Sequence, residues 1–360
     1  MINLTRGVPP AEVFPIDDLI QAGEISLRED GKRIFQYSPA PGYPPLRDWL
    51  AAEHSVDSEQ VFLGNSSLEL FSFVIHILLG VRRRAFIESP SYDRANTLLQ
   101  RSGAEVVPIP LHLDGMDLDA FEAQLKRGAP GLVYLITDFQ NPMGNTTSLE
   151  KRQQLAAWAR EYDFWIVEDA PYRRLRYSGK DLPTLYSFAP ERVIHMASLS
   201  KILAPGLRLG YLVAEAGIVR QLTEWAVDTY ISPVTPTQAM AYAYLKAGKL
   251  PDNIASLCRL YRPRLETMLA ALDRYLPQAS YPRPEGGFFL GVSLPEGVRM
   301  DWLLPRAEQA GLKLSDGRGF FIHPSDGERF VRLPFCSLTL TEIELAVKGL
   351  GRLVKEDYPQ

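Results

Sequence analysis

The chain is short of cysteine, of histidine and of long apolar runs, and each shortage removes a class of function. Only Cys258 and Cys336 occur among 360 residues, too few for a disulfide framework or a cysteine-rich zinc site. The five histidines, His54, His76, His112, His195 and His323, are spaced too widely for a His-x-x-x-His pair, so no metal is expected. The longest apolar run, Leu68 to Leu79, is broken by Glu69 and His76 and is too short to cross a bilayer. Met1 to Pro10 lacks the basic stretch followed by an apolar one that marks a signal peptide, and the expected location is the cytoplasm. There is no basic excess either. Lysine and arginine total 39 against 43 acidic residues, a net charge of −4 that argues against generic binding to nucleic acid or anionic membrane. No internal repeat or low-complexity segment is visible.

What is present is a core. Hydrophobic residues make up 46% of the chain and charged residues 23%, enough apolar material for one large domain or two smaller ones. Residues 1–18 are rich in proline and turn residues and read as extended chain, with Asp17 or Asp18 capping a helix that begins near Leu19. From Val61 onward short apolar runs alternate with amphipathic stretches. Strands are expected at Val61 to Leu63, Ala85 to Glu88, Val106 to Ile109, Leu132 to Ile136, Phe164 to Val167, Val193 to Met196 and Leu209 to Val213. Helices are expected between them at Leu68 to Leu79, Tyr92 to Arg101, Leu118 to Lys126 and Leu149 to Tyr162. Near-continuous apolar strands of this kind imply an α/β fold with a largely parallel sheet covered on both faces. Beyond Ala214 the texture changes to helices, including a long one from Pro251 to Leu276. An α+β unit follows, with strands at Phe288 to Val292 and Phe330 to Phe335.

In parallel sheets functional groups collect at the carboxyl ends of the strands. Three ends carry such groups: Asn141 after Ile136, Asp169 after Val167, and Ser198, Ser200 and Lys201 after Met196. Arg208 follows after a Pro-Gly turn. A lysine so close to the core invites explanation. An amine, two hydroxyls and a guanidinium together suit a carbonyl cofactor bearing a phosphate. A buried carboxylate at Asp169 needs a cation, which a protonated pyridine would supply; a helix cap or surface ion pair is the alternative. Asn141 and Tyr172 could then bond a ring oxygen from the opposite edge. Ser198-Leu-Ser-Lys201 also matches the S-x-x-K acylation motif, but the Lys-Thr-Gly and Ser-Asp-Asn or Tyr-x-Asn elements of that chemistry are missing. Gly64-Asn-Ser-Ser67 opens a helix, and its free amides suit a phosphate or an ordinary N-cap. It is no Walker loop. Arg332, inside an apolar strand, calls for a carboxylate partner, either a protein side chain or a substrate.

Taken together these residues resemble the fold-type I pyridoxal-phosphate enzymes, specifically the class I/II aminotransferases, in the branch of the 2-aminoadipate and kynurenine aminotransferases. The motifs run in register from about residue 3 to the C-terminus. They are Tyr-Ser-x-x-x-Gly-Tyr-x-Pro-Leu-Arg at 37–47, Pro-Ser-Tyr at 90–92, Gln-Asn-Pro-x-Gly at 140–144 and Glu-Asp-x-x-Tyr at 168–172. Ser-x-Ser-Lys-x-Leu-x-Pro-Gly-Leu-Arg at 198–208 and Pro-x-Gly-Gly at 284–287 complete the set.

The resemblance implies a large domain over 36–245, with a mostly parallel seven-stranded sheet, and a small domain built from 1–35 and 246–360. It implies pyridoxal 5'-phosphate, with Lys201 as the Schiff-base lysine and proton shuttle, Asp169 on the pyridine nitrogen and Tyr92 stacked on the ring. It places Asn141 and Tyr172 at the ring oxygen. It gives the phosphate to Ser198, Ser200, Arg208 and the amides of Asn65 and Ser66, with Tyr37 reaching a phosphate in the neighbouring subunit of a homodimer. Arg332, with Asn141 and Gly7, would bind the substrate. An α-amino acid and a 2-oxo acid then exchange an amino group in two half-reactions. Two features depart from the family. Gly64-Asn-Ser-Ser67 replaces the usual Gly-Ser-Gln-Gln, and the chain starts close to Gly7-Val-Pro9, without the longer N-terminal segment that covers the substrate in many relatives. Decarboxylation, β-elimination or cyclisation on the same cofactor is the second reading. A regulator effector domain is the third, with no room expected for a winged helix ahead of Tyr37.

Overall fold

The computed structural model describes residues 1–80 and 82–356. The chain opens with a strand, β1 (Ile2–Leu4), and two helices, α1 (Ile16–Ile34) and α2 (Pro44–His54). Next come β2 (Val61–Gly64), α3 (Ser67–Leu78), β3 (Arg84–Ser89), α4 (Asp93–Arg101), β4 (Glu105–His112), β5 (Gly115–Met116) and α5 (Leu118–Leu125). The alternation continues through β6 (Leu132–Leu135), α6 (Leu149–Glu161), β7 (Trp165–Asp169), α7 (Leu185–Phe188), β8 (Val193–Ser198) and β9 (Gly210–Val213). Three helices follow, α8 (Ala216–Tyr230), α9 (Thr235–Lys246) and α10 (Leu250–Tyr275). The chain closes with β10 (Phe289–Ser293), α11 (Met300–Gln309), β11 (Leu312–Leu314), β12 (Phe330–Pro334) and α12 (Leu340–Glu356).

Eight strands make the main sheet, in the order β2-β9-β8-β7-β6-β3-β4-β5. Only β9 and β5 run against the others. The sequence reading gives seven strands. The eighth, β5, is a two-residue edge strand too short to show an apolar period. Every residue of β2, β6 and β8 is buried, because helices cover both sides. One face packs on α2, α5 and α6 through Leu50, Phe121 and Leu155. The other packs on α3, α4 and α8 through Phe71, Leu99 and Leu222. Alternation along β7 therefore sends Ile166 and Glu168 to the first face, and Val167 and Asp169 to the second.

The N-terminal segment differs from its expected form. Residues 2–4 are not free extended chain; they pair in parallel with β11, Ile2 to Leu312 and Leu4 to Leu314. No local signal marks a partner more than three hundred residues away. Helix α1 starts at Ile16, not Leu19, with Pro15 before it and no side-chain cap. Asp17 and Asp18 lie inside its first turn, where they complement the helix dipole without capping it. In the second unit β10 and β12 form an antiparallel pair, and α10 packs on α12. Helix α1 lies against α9, while β1 pairs with β11. No helix among the described residues is long and apolar enough to cross a membrane.

Candidate active site

Strands β6, β7 and β8 are adjacent, parallel and in close register, with Leu135 beside Glu168 and Asp169 beside Met196. Their carboxyl ends consequently bring Asn141, Asp169 and Lys201 to one place. Asp169 is 5% exposed. Its Oδ2 accepts a hydrogen bond of 2.7 Å from the Tyr134 hydroxyl, while its Oδ1 is buried with no partner. Burial pushes its carboxyl up to about 6, against the pull of Tyr134, His195 and Lys201. A buried carboxylate oxygen without a donor is costly, and a protonated ring nitrogen fits that vacancy. Lys201 follows Ser200 in a short 3-10 turn, with its Nζ 6.0 Å from the Phe288 ring centre. Burial, aided by Arg332 and Arg208, pulls its ammonium below the ordinary lysine value, which favours the free amine.

Arg332 sits in the middle of β12 between two rings, 4.4 Å from the Phe289 centre and 4.7 Å from the Phe320 centre. Its Nη1 donates to Asn141 Oδ1 at 2.9 Å and its Nη2 to the Thr5 carbonyl at 2.7 Å; its Nε is buried without a partner. No carboxylate pairs with Arg332 among the described residues; its partners are two neutral oxygens and two rings. Because Asn141 accepts from Arg332 through oxygen, its amide nitrogen remains to donate. Gly7 lies flat on the Phe289 ring, where any Cβ would overlap the ring. The same N-terminal segment thus supplies the Thr5 carbonyl and the Gly7 contact. Tyr172 packs against Phe288 and Phe289, and Tyr92 precedes α4. Burial first, and then Asp93 and Asp169, push the Tyr92 phenol up to about 12, so it stays neutral.

The phosphate candidates are less uniform. Ser66 caps α3 by accepting from the Glu69 amide at 3.1 Å. The Asn65 backbone and side-chain amides both donate to the Glu69 carboxylate, at 2.8 and 3.1 Å. That engages the backbone donor expected of Asn65 and one of its two side-chain donors. The amides of Ser66 and Ser67 have no acceptor among the described residues and are the ones left for an anion. Gly210 passes so near them that a Cβ would strike the Ser67 nitrogen, so glycine is required there. Ser198 donates to the Leu209 carbonyl and accepts from the Ser200 amide, holding the β8 turn. Arg208, left-handed at φ 50°, is exposed, and its nearest acceptor is the Pro205 carbonyl at 3.4 Å. Tyr37 is 74% exposed and is not brought into the site of its own chain.

Sequence reasoning misses Tyr134, Thr5, Glu69 and the Phe289–Phe320 sandwich. Tyr134 reads as one more apolar residue in Leu132–Leu135, and the Thr5 contact is made by backbone, which carries no side-chain signal. Behind the sheet, Glu168 accepts from Thr137 Oγ1, the Leu185 and Tyr186 amides and His195 Nδ1. Burial opposes its charge, but these bonds and the Arg152 charge outweigh it and hold the carboxyl at about 2.

The sequence model for aminotransferase class I and II matches residues 1–350. The 2-aminoadipate transaminase of Thermus thermophilus is 33% identical over 99% of this chain and 90% of its own. A solved alpha-aminoadipate aminotransferase from the same organism, complexed with N-(5'-phosphopyridoxyl)-L-leucine, has a TM-score of 0.92 at 33% identity, covering 99% of this chain and 92% of that one. The Pyrococcus horikoshii kynurenine aminotransferase, in complex with PMP, reaches 0.95 at 30% identity over 100% and 92%. The orphaned Asp169 oxygen and the free amides of α3 fit the cofactor these complexes carry. With strand ends, register and matched length in agreement, the chain belongs to the class I and II aminotransferases, pyridoxal 5'-phosphate enzymes that move an amino group between an α-amino acid and a 2-oxo acid.

Proposed function

We propose that this transamination is carried by Lys201, Asp169 and Tyr92, with Arg332 as the anchor of the substrate α-carboxylate. The bound cofactor supplies the electron sink that lets an α-carbon release its proton. Asp169, through its free Oδ1, holds the ring nitrogen protonated. Lys201, its amine uncharged more readily because the site is buried, would take the proton from the substrate α-carbon and hand it to the bound cofactor. Tyr92 would cover the ring, and Asn141 and Tyr172 would bond its oxygen. Asn141 is also the link to the anchor, since its oxygen fixes the Arg332 guanidinium. Arg332 orients the amino acid and gains a charge-assisted partner when substrate arrives. Gly7 and Thr5 close the anchor from above.

The phosphate falls to Ser200, Arg208 and the start of α3, where Ser66 and Ser67 donate, while Ser198 holds the turn through Leu209 and the Ser200 amide and Asn65 serves as a brace tied to Glu69 and to the Val234 amide. We place Tyr37 at the phosphate of a second copy, so the working unit is a homodimer with sites at the interface. The exposure of Tyr37 (74%) and of Phe35 (73%) supports that reading. The large unit is 36–245 and the small unit 1–35 with 246–360, and the setting is cytoplasmic amino-acid metabolism.

The observation that carries the reading is the orphaned Asp169 Oδ1 beside Lys201 at the ends of adjacent strands. The test is borohydride reduction of the yellow holoenzyme followed by peptide mapping. A reduced adduct on Lys201, and loss of turnover with retained cofactor binding in Lys201→Ala, is the expected result. An adduct elsewhere, or none, overturns it. The absorbance change of the holoenzyme with a panel of amino acids then reads the preferred donor.

A further inference from the structure

Tyr134 is the one donor that reaches Asp169 among the described residues, and it lies on a different strand, β6. Its side chain is fully buried, and its ring centre is 4.6 Å from that of Phe71 on α3. Its hydroxyl donates to Asp169 Oδ2 at 2.7 Å, the length of a charge-assisted bond. One carboxylate oxygen is held by Tyr134, and the other is buried and unpartnered. The clamp is itself rigid. Phe71 belongs to α3, the helix whose first amides are proposed above to hold the phosphate, so both ends of the cofactor would be referred to one packed core.

We propose that Tyr134 is a positioning residue for the reaction, holding the Asp169 carboxylate in the rotamer and the charge state that the ring nitrogen needs. The proposal rests on the assignment of Asp169 above. Burial disfavours a charged Asp169, and a hydrogen bond to the ionised form opposes that tendency. Burial and the nearby Asp169 charge raise the Tyr134 phenol well above its ordinary value, so it remains a donor throughout the working range. Without it, the proton shared between carboxyl and ring nitrogen shifts toward the carboxyl, and the ring withdraws electrons less well. A core tyrosine that merely needed an acceptor would have no such effect.

The experiment uses the holoenzyme and four proteins: wild type, Tyr134→Phe, Asp169→Ala and the double variant. Three readouts are taken: kcat and KM for the amino acid, the pH titration of the cofactor absorbance band, and Tm. A hydrogen bond to a charged group is worth about ten- to a hundredfold, so Tyr134→Phe should lower kcat by that factor with KM little changed. Its absorbance titration should move by about one pH unit. In the Asp169→Ala background the same change should alter neither quantity. An equal effect of Tyr134→Phe in both backgrounds, or a fall in Tm with kcat and the titration unmoved, overturns the proposal. If Asp169→Ala alone leaves kcat and the absorbance unchanged, the Asp169 assignment itself fails, and this inference with it. Should Tyr134→Phe not fold, 3-fluorotyrosine at position 134 keeps the shape with a more acidic hydroxyl. It should move the titration in the opposite direction, and no movement overturns the idea.

Discussion

Glu168 and Asp169 are consecutive residues of β7, both buried and facing opposite sides of one sheet. Glu168 receives four donors and is held at about 2; Asp169 receives one and is pushed up to about 6. The arginines repeat the contrast. Arg152, behind the sheet, spends its N–H groups on Asp138 and on the Thr137, Thr147 and Pro183 carbonyls. Arg332, in β12, keeps a buried Nε without a partner and forms no ion pair among the described residues. Burial alone does not separate a structural ion from one awaiting a ligand. These two pairs differ in how many of their donors and acceptors are satisfied, and a buried polar atom left unpaired calls for a ligand or a water to complete it.

The sharpest way to break this contrast is to remove the two arginines in turn. Arg152→Met strips a partner from a buried carboxylate that Arg173 and Arg176 also serve. Breaking such a pair costs about 3–5 kcal/mol of stability. Denaturant melts of the apo protein should show that loss, while the surviving folded fraction keeps its affinity for amino acids. Equal stability of Arg152→Met and wild type would erase the distinction between the two faces.

Asp169→Asn should separate stability from activity. Turnover should fall on the order of 10²-fold or more, ~3 kcal/mol in the barrier, because the amide cannot hold the ring nitrogen protonated. The apo protein should become more stable. The folded carboxyl titrates at about 6 against an ordinary 3.8, so the fold binds its proton more tightly than the unfolded chain does. The penalty for ionising it is absent below 3.8, grows between the two values, and is complete above 6, where it amounts to about 3 kcal/mol. The variant should therefore melt above wild type at pH 8 and with it near pH 3.5. Glu168 has the opposite sign: its contribution is present above 4.5 and is lost as pH falls toward 2.

Arg332→Lys should cost about 2 kcal/mol in affinity for every α-amino acid alike, since the charge remains but the planar fork is lost. Its present bonds go to neutral oxygens of Asn141 and Thr5, so Tm should drop only slightly. A collapse of Tm with affinity unchanged would make Arg332 a structural residue and move the anchor elsewhere.

How much of this is legible in the chain itself depends on the kind of signal. The parallel strands, and the gathering of Asn141, Asp169 and Lys201 at their ends, follow from apolar runs and the residues that terminate them. The pairing of β1 with β11 does not, because strand pairing across the whole chain leaves no local trace. Nor does the difference between Glu168 and Asp169. Both are acidic and adjacent, and only the three-dimensional distribution of Tyr134, His195 and the α7 amides tells them apart. The Asn65 donors illustrate the same limit. The run Gly64-Asn-Ser-Ser67 announces a helix start, but the fate of each amide is decided by Glu69, one turn later.

Glu69 gives the smallest and most discriminating effect. Its carboxylate accepts from both amides of Asn65 at the start of α3, where an anion is stabilised by the helix dipole and a second anion is not. If Ser66 and Ser67 receive the cofactor phosphate, Glu69 competes for the same positive end. Glu69→Gln keeps an acceptor for Asn65 and removes the charge. It should weaken α3 by about 0.3–1 kcal/mol in the apo protein, seen as a slightly lower Tm, and should tighten cofactor binding by a comparable amount, a factor of about two to five. Unphosphorylated pyridoxal should gain nothing, because it brings no charge to that end. Looser binding of the phosphorylated cofactor would mean that the Asn65 brace matters more than the field. An equal gain for pyridoxal would mean that the phosphate does not sit at the start of α3.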